Sequence, residues 1–361
     1  MVETLSPVPP RPAAKPVELW SIQYLRAAAA LGVVVWHAQG QVGLHETAVL
    51  QAGIEVFFII SGLVMWLILE ARPTDPVTFL KKRLIRIVPL YWVLTTVMVA
   101  LLLLAPRLLQ STRFDLPHVI ASYLFVAWPN PVAAAGLKPV MIPGWTLNYE
   151  MAFYGLLAVG LCLKTPRRGP FLLGVLALLT LLSLVPMTRV AHFYASPFMA
   201  EFAIGIALAM GLKRAPAWLR SRPRLMFMTG LGTLILGGAL DPTGQVRLVS
   251  FALPAALIVA GLTVWEQAGS MPRIPVLKAI GDASYPLYMI HPVLLSALVQ
   301  AWKAGGLEGL PPWLFVGLGL VVTCGVGWIA HVTLERPLAA LFQPRPRSAL
   351  PRLKTRTATE G

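Results

Sequence analysis

Charge and cysteine are both scarce in this chain. Charged residues make up 12% of its 361 positions, about half the share of an average soluble domain, so most of its surface is not built to face water. Its two cysteines, Cys162 and Cys324, each lie inside an apolar run. They offer neither a disulfide framework nor the spacing of a metal site, and no bound metal is expected. No repeat of fixed period occurs, which excludes a solenoid. Polar stretches long enough for a separate soluble domain are missing too.

What the chain has instead is apolar length. Hydrophobic residues are 57% of it and mean hydropathy is +0.71. Runs of about 20 apolar residues, enough to cross a bilayer as a helix, recur almost from end to end. We therefore read an all-α polytopic membrane protein, a bundle of about ten transmembrane helices near 20–40, 51–70, 87–105, 144–163, 170–187, 195–212, 225–240, 245–265, 281–302 and 313–334. Residues 1–19, proline-rich and polar, read as a disordered cytoplasmic N-terminus, 20–336 as the transmembrane domain and 337–361 as a basic, disordered cytoplasmic tail. The first span reads as a retained helix, because Arg26 and His37 interrupt it and no small-residue cleavage site follows.

The net charge of +15 is explained by topology. With a cytoplasmic N-terminus, 23 of the 30 Lys and Arg fall on the inner side, 6 on the outer side and Arg26 within a span, as the positive-inside rule requires. The expected partner is a lipid bilayer with its anionic headgroups, and nucleic acid is not needed to account for the charge. One further apolar stretch, Val119 to Trp128, reads as interfacial or re-entrant, since a full span there would move every later basic cluster to the outside.

The polar groups inside the apolar runs are the functional candidates. Arg26 and His37 are eleven residues apart, about 16 Å of helix rise and nearly one face. Each group buried at membrane depth costs roughly 2.5 kcal/mol or more, so its retention points to function. Topology places Arg26 toward the inner edge and His37 in the outer half. Glu150, in PGWTLNYEMAFYGLL, is expected at the same depth as His37, with Phe153 and Tyr154 on its face. Glu55 lies near the outer edge of the second span, beside a Ser61-Gly62 pair that permits close helix approach. Ser284, Tyr288 and His291 share a face of GDASYPLYMIHPVLL. For Glu55 and Glu201, both close to an interface, wetting or local pairing is the simpler account, and for His331 snorkelling toward the cytoplasm. Arg83 and Arg86 in FLKKRLIRIVPLYW either clamp a phosphate bidentately or simply follow the positive-inside rule.

Together, the Arg26-x10-His37 helix, GIEVFFIISGLVM, Arg83-x-x-Arg86 leading into IVPLYW, GWTLNYEMAFY and SYPLYMIHP, in that order, resemble the membrane-bound acyltransferase 3 family. The resemblance covers residues 20 to about 340, including TLERPL. It implies transfer of an acyl group, commonly acetyl, from cytoplasmic acyl-coenzyme A to a hydroxyl of a glycan or other acceptor, often at the far side of the bacterial inner membrane. It implies no permanently bound cofactor, acyl-coenzyme A being a co-substrate. His37 and Arg26 match the family's motif histidine and arginine, and Arg83 and Arg86 its basic pair, implicated in binding coenzyme A. Glu150 matches the acidic position of the tryptophan-led helix. Glu55 stands where aspartate is usual, and the carboxylate is kept.

The chemistry suits these residues. A hydroxyl is a poor nucleophile at neutral pH, and a neutral imidazole beside it takes its proton as it attacks the thioester. His37 is the expected base and Glu150 its partner or an acceptor-binding group. Arg26, Arg83 and Arg86 are expected to hold the donor's phosphorylated end, with substrate contacts from Glu55, Trp145, Tyr154, Tyr288 and His291. The alternative is a proton-coupled transporter, which also uses intramembrane His and Glu. The two related halves of many transporters are not visible in this sequence.

Overall fold

The computed structural model describes residues 19–105, 112–132, 136–212, 214 and 216–342. Among them the regular structure is helical, with no strand. The expected N-terminal tail lies outside the described residues except for Leu19, which is the N-cap of the first helix. The expected C-terminal tail begins as helix, since Arg336–Phe342 is α-helical. Residues 343–361 lie outside the described range.

In chain order the helices framing the interior are α1 (Trp20–Gln41), α2 (Gly53–Ala71), α3 (Pro76–Leu104), α4 (Leu116–Tyr123) and α5 (Trp145–Leu161). Then come α6 (Thr165–Leu182), α7 (Arg189–Tyr194), α8 (Phe198–Leu212), α9 (Ala217–Arg220), α10 (Pro223–Leu240) and α11 (Leu253–Gln267). The last four are α12 (Pro275–Asp282), α13 (Ser284–Ala304), α14 (Pro312–Ala330) and α15 (Arg336–Phe342).

Six helical segments among the described residues are long and apolar enough to cross a membrane: Ala48–Ala71, Pro76–Leu104, Arg189–Leu212, Pro223–Leu240, Leu248–Gln267 and Pro312–Phe342. The chain is a multi-pass membrane protein, and the expected spans that fall outside these six are instructive. Helix α5 has 17 residues and is short. Helices α1 and α13, with 22 and 21 residues, are long enough, but Gln23, Arg26, His37 and Gln39 in one and Tyr285, Tyr288, His291 and Gln300 in the other dilute their hydropathy. Most of these polar side chains face the bundle interior, while Gln300, near the end of α13, is exposed. Helix α3 starts at Pro76, about ten residues before the predicted span, because Asp75 caps it by accepting from the Thr78 amide at 2.9 Å and Pro76 fits the first turn. The basic stretch with Arg83 and Arg86 is therefore the first half of a continuous helix.

The apolar stretch after residue 116 is only eight residues of helix, α4, which rises about 12 Å and does not cross a bilayer. Helices α2 and α8 touch backbone to backbone. A Cβ on Gly62 would sit 2.2 Å from the Phe202 carbonyl oxygen, and one on Gly205 2.1 Å from that of Ile59. The Ser61-Gly62 pair is thus the close approach its composition predicts, and any side chain at Gly62 would force the helices apart. Around this contact a continuous core forms from Ile59, Leu63, Phe153, Phe202 and Ile206.

Candidate active site

The polar groups of the interior gather in three places. The first is a cavity of about 700 Å³ walled by α1, α2, α3, α5 and α13, within the usual size of small-molecule sites. Its wall is mainly apolar, and its charged groups are Arg26, Arg86 and Glu150. Glu150 Oε1 accepts from Ser61 Oγ at 3.1 Å and from the Tyr154 hydroxyl one turn further along α5. Arg26 donates to Gln23 Oε1 at 3.3 Å. The tyrosine side chain of Tyr285 donates to the Ile87 carbonyl at 2.8 Å and ties α13 to α3 beside the cavity. Arg83 does not line it: its guanidinium lies 6.0 Å from the Phe79 ring centre, and Phe79 packs edge-on against Tyr154. The two neighbouring guanidiniums are divided, one in the cavity and one over an aromatic face.

The second place is a pair of imidazoles. His37 Nδ1 lies 2.9 Å from the Val33 carbonyl oxygen one turn back on α1, and His291 Nε2 lies 3.3 Å from the same His37 nitrogen. The ring centres are 4.8 Å apart. The local sequence explains the second ring's pose. Pro292 has no amide N–H to give to the carbonyl four residues back, that of Tyr288, and His291 Nδ1 lies 2.6 Å from this freed oxygen. Trp36 stands edge-on to His37 at 4.6 Å. Just beyond, Gln39 fixes the end of α1 by bonding both the hydroxyl and the amide of Thr47, at 3.0 and 2.9 Å.

His37 does not line the cavity. Tyr288 does, packing 5.7 Å from Phe57, which also lines it, and 5.6 Å from His291. One layer of rings thus separates the cavity from the imidazole pair. A smaller hollow of about 320 Å³ lies at the far end of α1, lined by Gln41, Trp302, Lys303 and Glu308 among others. Gln41 is one turn past His37, so α1 runs from the large cavity, past the imidazoles, to this hollow.

The expected meeting of His37 and Glu150 does not occur. Gly53, which opens α2, abuts the Ala29 carbonyl and the Val33 side chain, so His37 lies beyond the start of α2. Glu150 lies level with Ser61, two turns into α2. Counting rise along the helices puts the two side chains on the order of 15–20 Å apart along the bundle axis. Glu150 shares its depth with Arg26 instead. The sequence estimate failed because it measured depth from each helix end as if all ends were level, whereas α1 extends past the start of α2.

The third place is closed. Glu55 is fully buried and receives Arg247 Nε at 2.8 Å and Nη2 at 2.5 Å. Arg247 also reaches Gln51 at 3.3 Å and lies over the Phe198 and Phe251 rings at 5.6 and 5.3 Å. Glu55 lines neither cavity: it is paired, the simpler of the two readings its sequence position allows, and the expected substrate contact, the other reading, is not made from either cavity wall. Trp145, another expected contact, packs on Tyr149 and Phe198 at 5.9 and 5.5 Å and faces neither cavity. Glu201 is buried close to the ion pair, and His331 pairs with Glu335 at 2.5 Å. In the sequence Arg247 reads as ordinary outer-side charge. Its partner is 192 residues away, and no local pattern signals that. The hydroxyl of Ser61 was likewise read only as a small group.

The acyltransferase-3 family profile, described as an acyltransferase domain, matches residues 19–332. The chain belongs to this family. It is an acyltransferase, and the matched range takes in every helix from α1 to the end of α14. The chain is also 34% identical over 319 residues to the exopolysaccharide production protein ExoZ of Rhizobium meliloti (strain 1021), an alignment covering 84% of this chain and 94% of that protein. No solved structure matches the chain.

Proposed function

We propose that this acyltransferase moves an acyl group, acetyl in the simplest case, from acyl-coenzyme A to a hydroxyl of a bacterial exopolysaccharide or its precursor, with His37 as the general base. The observation that carries the reading is the large cavity itself, with Arg26 and Arg86 on an otherwise apolar wall. Two guanidiniums suit the phosphorylated end of the donor, and the apolar remainder suits its long thioester arm. The family and the exopolysaccharide relative support the acceptor class, that relative's bacterial source supports a bacterial cytoplasmic membrane, and the distribution of Lys and Arg supports both termini inside.

In this reading the donor enters at the end of the bundle that carries the basic start of α3. The acceptor approaches from the end where α1 finishes, past the hollow lined by Gln41, Lys303 and Glu308. The thioester reaches His37 when the Tyr288 ring turns aside. His37 then takes the hydroxyl proton as the oxygen attacks the thioester carbonyl. The tetrahedral intermediate collapses to the ester, and coenzyme A leaves as a thiolate that takes the proton from the imidazolium. Glu150, bonded to Ser61 and Tyr154 on the cavity wall, is a donor-side group that accepts from the amide or hydroxyl groups of the donor's arm.

The test is transfer of label. Membranes holding the protein are supplied with radiolabelled acetyl-coenzyme A and deacylated exopolysaccharide, and polymer-bound label is counted. The expected result is labelled polymer, reduced roughly 10²–10⁴-fold in His37→Ala, the usual range for loss of a general base. Unlabelled polymer with wild-type protein would overturn the exopolysaccharide acceptor, and undiminished label with His37→Ala would overturn the base.

A further inference from the structure

The His37–His291 contact has an internal logic that fixes where the protons sit. A backbone carbonyl only accepts, so each imidazole nitrogen facing one must carry the hydrogen. His291 Nδ1 faces the Tyr288 oxygen at 2.6 Å and His37 Nδ1 faces the Val33 oxygen at 2.9 Å. In the neutral rings both Nε2 atoms are therefore acceptors. The Nε2 of His291 is spent on its neighbour, 3.3 Å from His37 Nδ1, whose hydrogen it shares with the Val33 carbonyl. The Nε2 of His37 is left as the uncommitted basic nitrogen of the pair.

We infer that His291 is a positioning residue for His37, holding the ring so that its Nε2 is the base and accepting the Nδ1 hydrogen of the imidazolium formed during transfer. This is the place a carboxylate takes in a hydrolase triad, one of the two roles expected of Glu150 from the sequence. A neutral acceptor suits this site because His291 is 1% exposed and a carboxylate there would need its own counter-charge in the resting state. The sequence supplies the device in three residues. Tyr288 provides the carbonyl, Pro292 leaves it free, and His291 spans the two. The inference rests on His37 being the base proposed above.

Two experiments on the full-length protein test it. The first is ¹⁵N NMR of the purified chain with labelled histidine; its six histidines are few enough to assign, using His37→Ala and His291→Gln. Both rings are expected as Nδ1–H tautomers at neutral pH, and an Nε2–H tautomer at either His37 or His291 overturns the inference without reference to activity. The second is the label-transfer assay on His291→Leu and His291→Gln. Leucine offers no acceptor and is expected to lower kcat on the order of 10- to 100-fold with KM for acetyl-coenzyme A unchanged. The glutamine amide oxygen still accepts from His37 Nδ1 and is expected to restore most of that loss. Equal activity of leucine and glutamine variants with equal thermal midpoints would reduce His291 to packing. An inactive wild-type protein would refute the proposed function while leaving the tautomer result to stand or fall alone.

Discussion

Glu55 and Glu150 are both carboxylates inside apolar helices, but the sequence sets them apart, Glu55 near an interface where local pairing is the simpler account and Glu150 well inside its span. Glu55 is sealed: a guanidinium takes one oxygen through two nitrogens, and aromatic rings cover the guanidinium. Glu150 is open: its partners are two hydroxyls, and it shares a 700 Å³ cavity with Arg26 and Arg86. A charge that already has its full counter-charge has little left to offer a ligand. A charge held by neutral donors at a cavity wall keeps its capacity to accept. What separates the two is the kind of partner: Glu55 is held through one oxygen by a guanidinium, its Oε2 buried without a hydrogen bond, whereas Glu150 is held by neutral hydroxyls at a cavity wall.

This contrast can be tested by breaking each site in turn. Glu55→Ala leaves Arg247, its side chain 21% exposed, without its counter-ion, which costs less than the ~3–5 kcal/mol of a fully buried pair; a fall in thermal midpoint is expected, with normal specific activity in the fraction that stays folded. Glu150→Ala removes an acceptor that faces the cavity. Here kcat/KM for acetyl-coenzyme A is expected to fall by roughly 10- to 100-fold, about 1.5–3 kcal/mol, with little change in thermal midpoint. If the two variants exchanged these phenotypes, the division between closed and open site would be wrong. Tyr288→Trp enlarges the ring between cavity and imidazoles, and kcat is expected to drop about tenfold while acyl-coenzyme A binding, followed by calorimetry, is retained.

The smallest effect concerns the turn that carries Arg247. Asp241 accepts from Ser250 Oγ at 2.7 Å and from the Gln245 and Val246 amides at 2.7 and 3.0 Å. The Ser250 hydroxyl, followed by these amides, holds its carboxyl below the ordinary value of 3.8. Because the folded value is depressed, the stabilisation is fully present above pH 3.8 and is lost as pH falls through the lower folded value. A modest decline in thermal midpoint below about pH 4 is expected, and Asp241→Asn should flatten it.

Much of this organisation was legible in the sequence. The apolar runs specify a helical membrane protein, the Ser61-Gly62 pair marks the α2–α8 contact, and the order of motifs identifies the family. Arg26, Arg86, Glu150, Tyr154 and Tyr288 were singled out, and all five line one cavity. What could not be read was relative height. Depth inferred from helix ends assumes a flat membrane face, and the offset between α1 and α2 alone was enough to misplace Glu150 against His37. Long-range pairing was equally invisible, since nothing near Arg247 or His291 in the chain names Glu55 or His37 as a partner. In α1 and α13 most of the polar side chains face the bundle interior, Gln300 near the end of α13 being exposed.

The central claim is that donor and acceptor meet from opposite ends of the bundle at His37. Sealed vesicles oriented with the basic start of α3 outward, loaded with deacylated exopolysaccharide and given radiolabelled acetyl-coenzyme A outside, test it directly. The account predicts label on the enclosed polymer with wild-type protein and none above background with His37→Ala. Label appearing only when donor and polymer share one side of the membrane would contradict it.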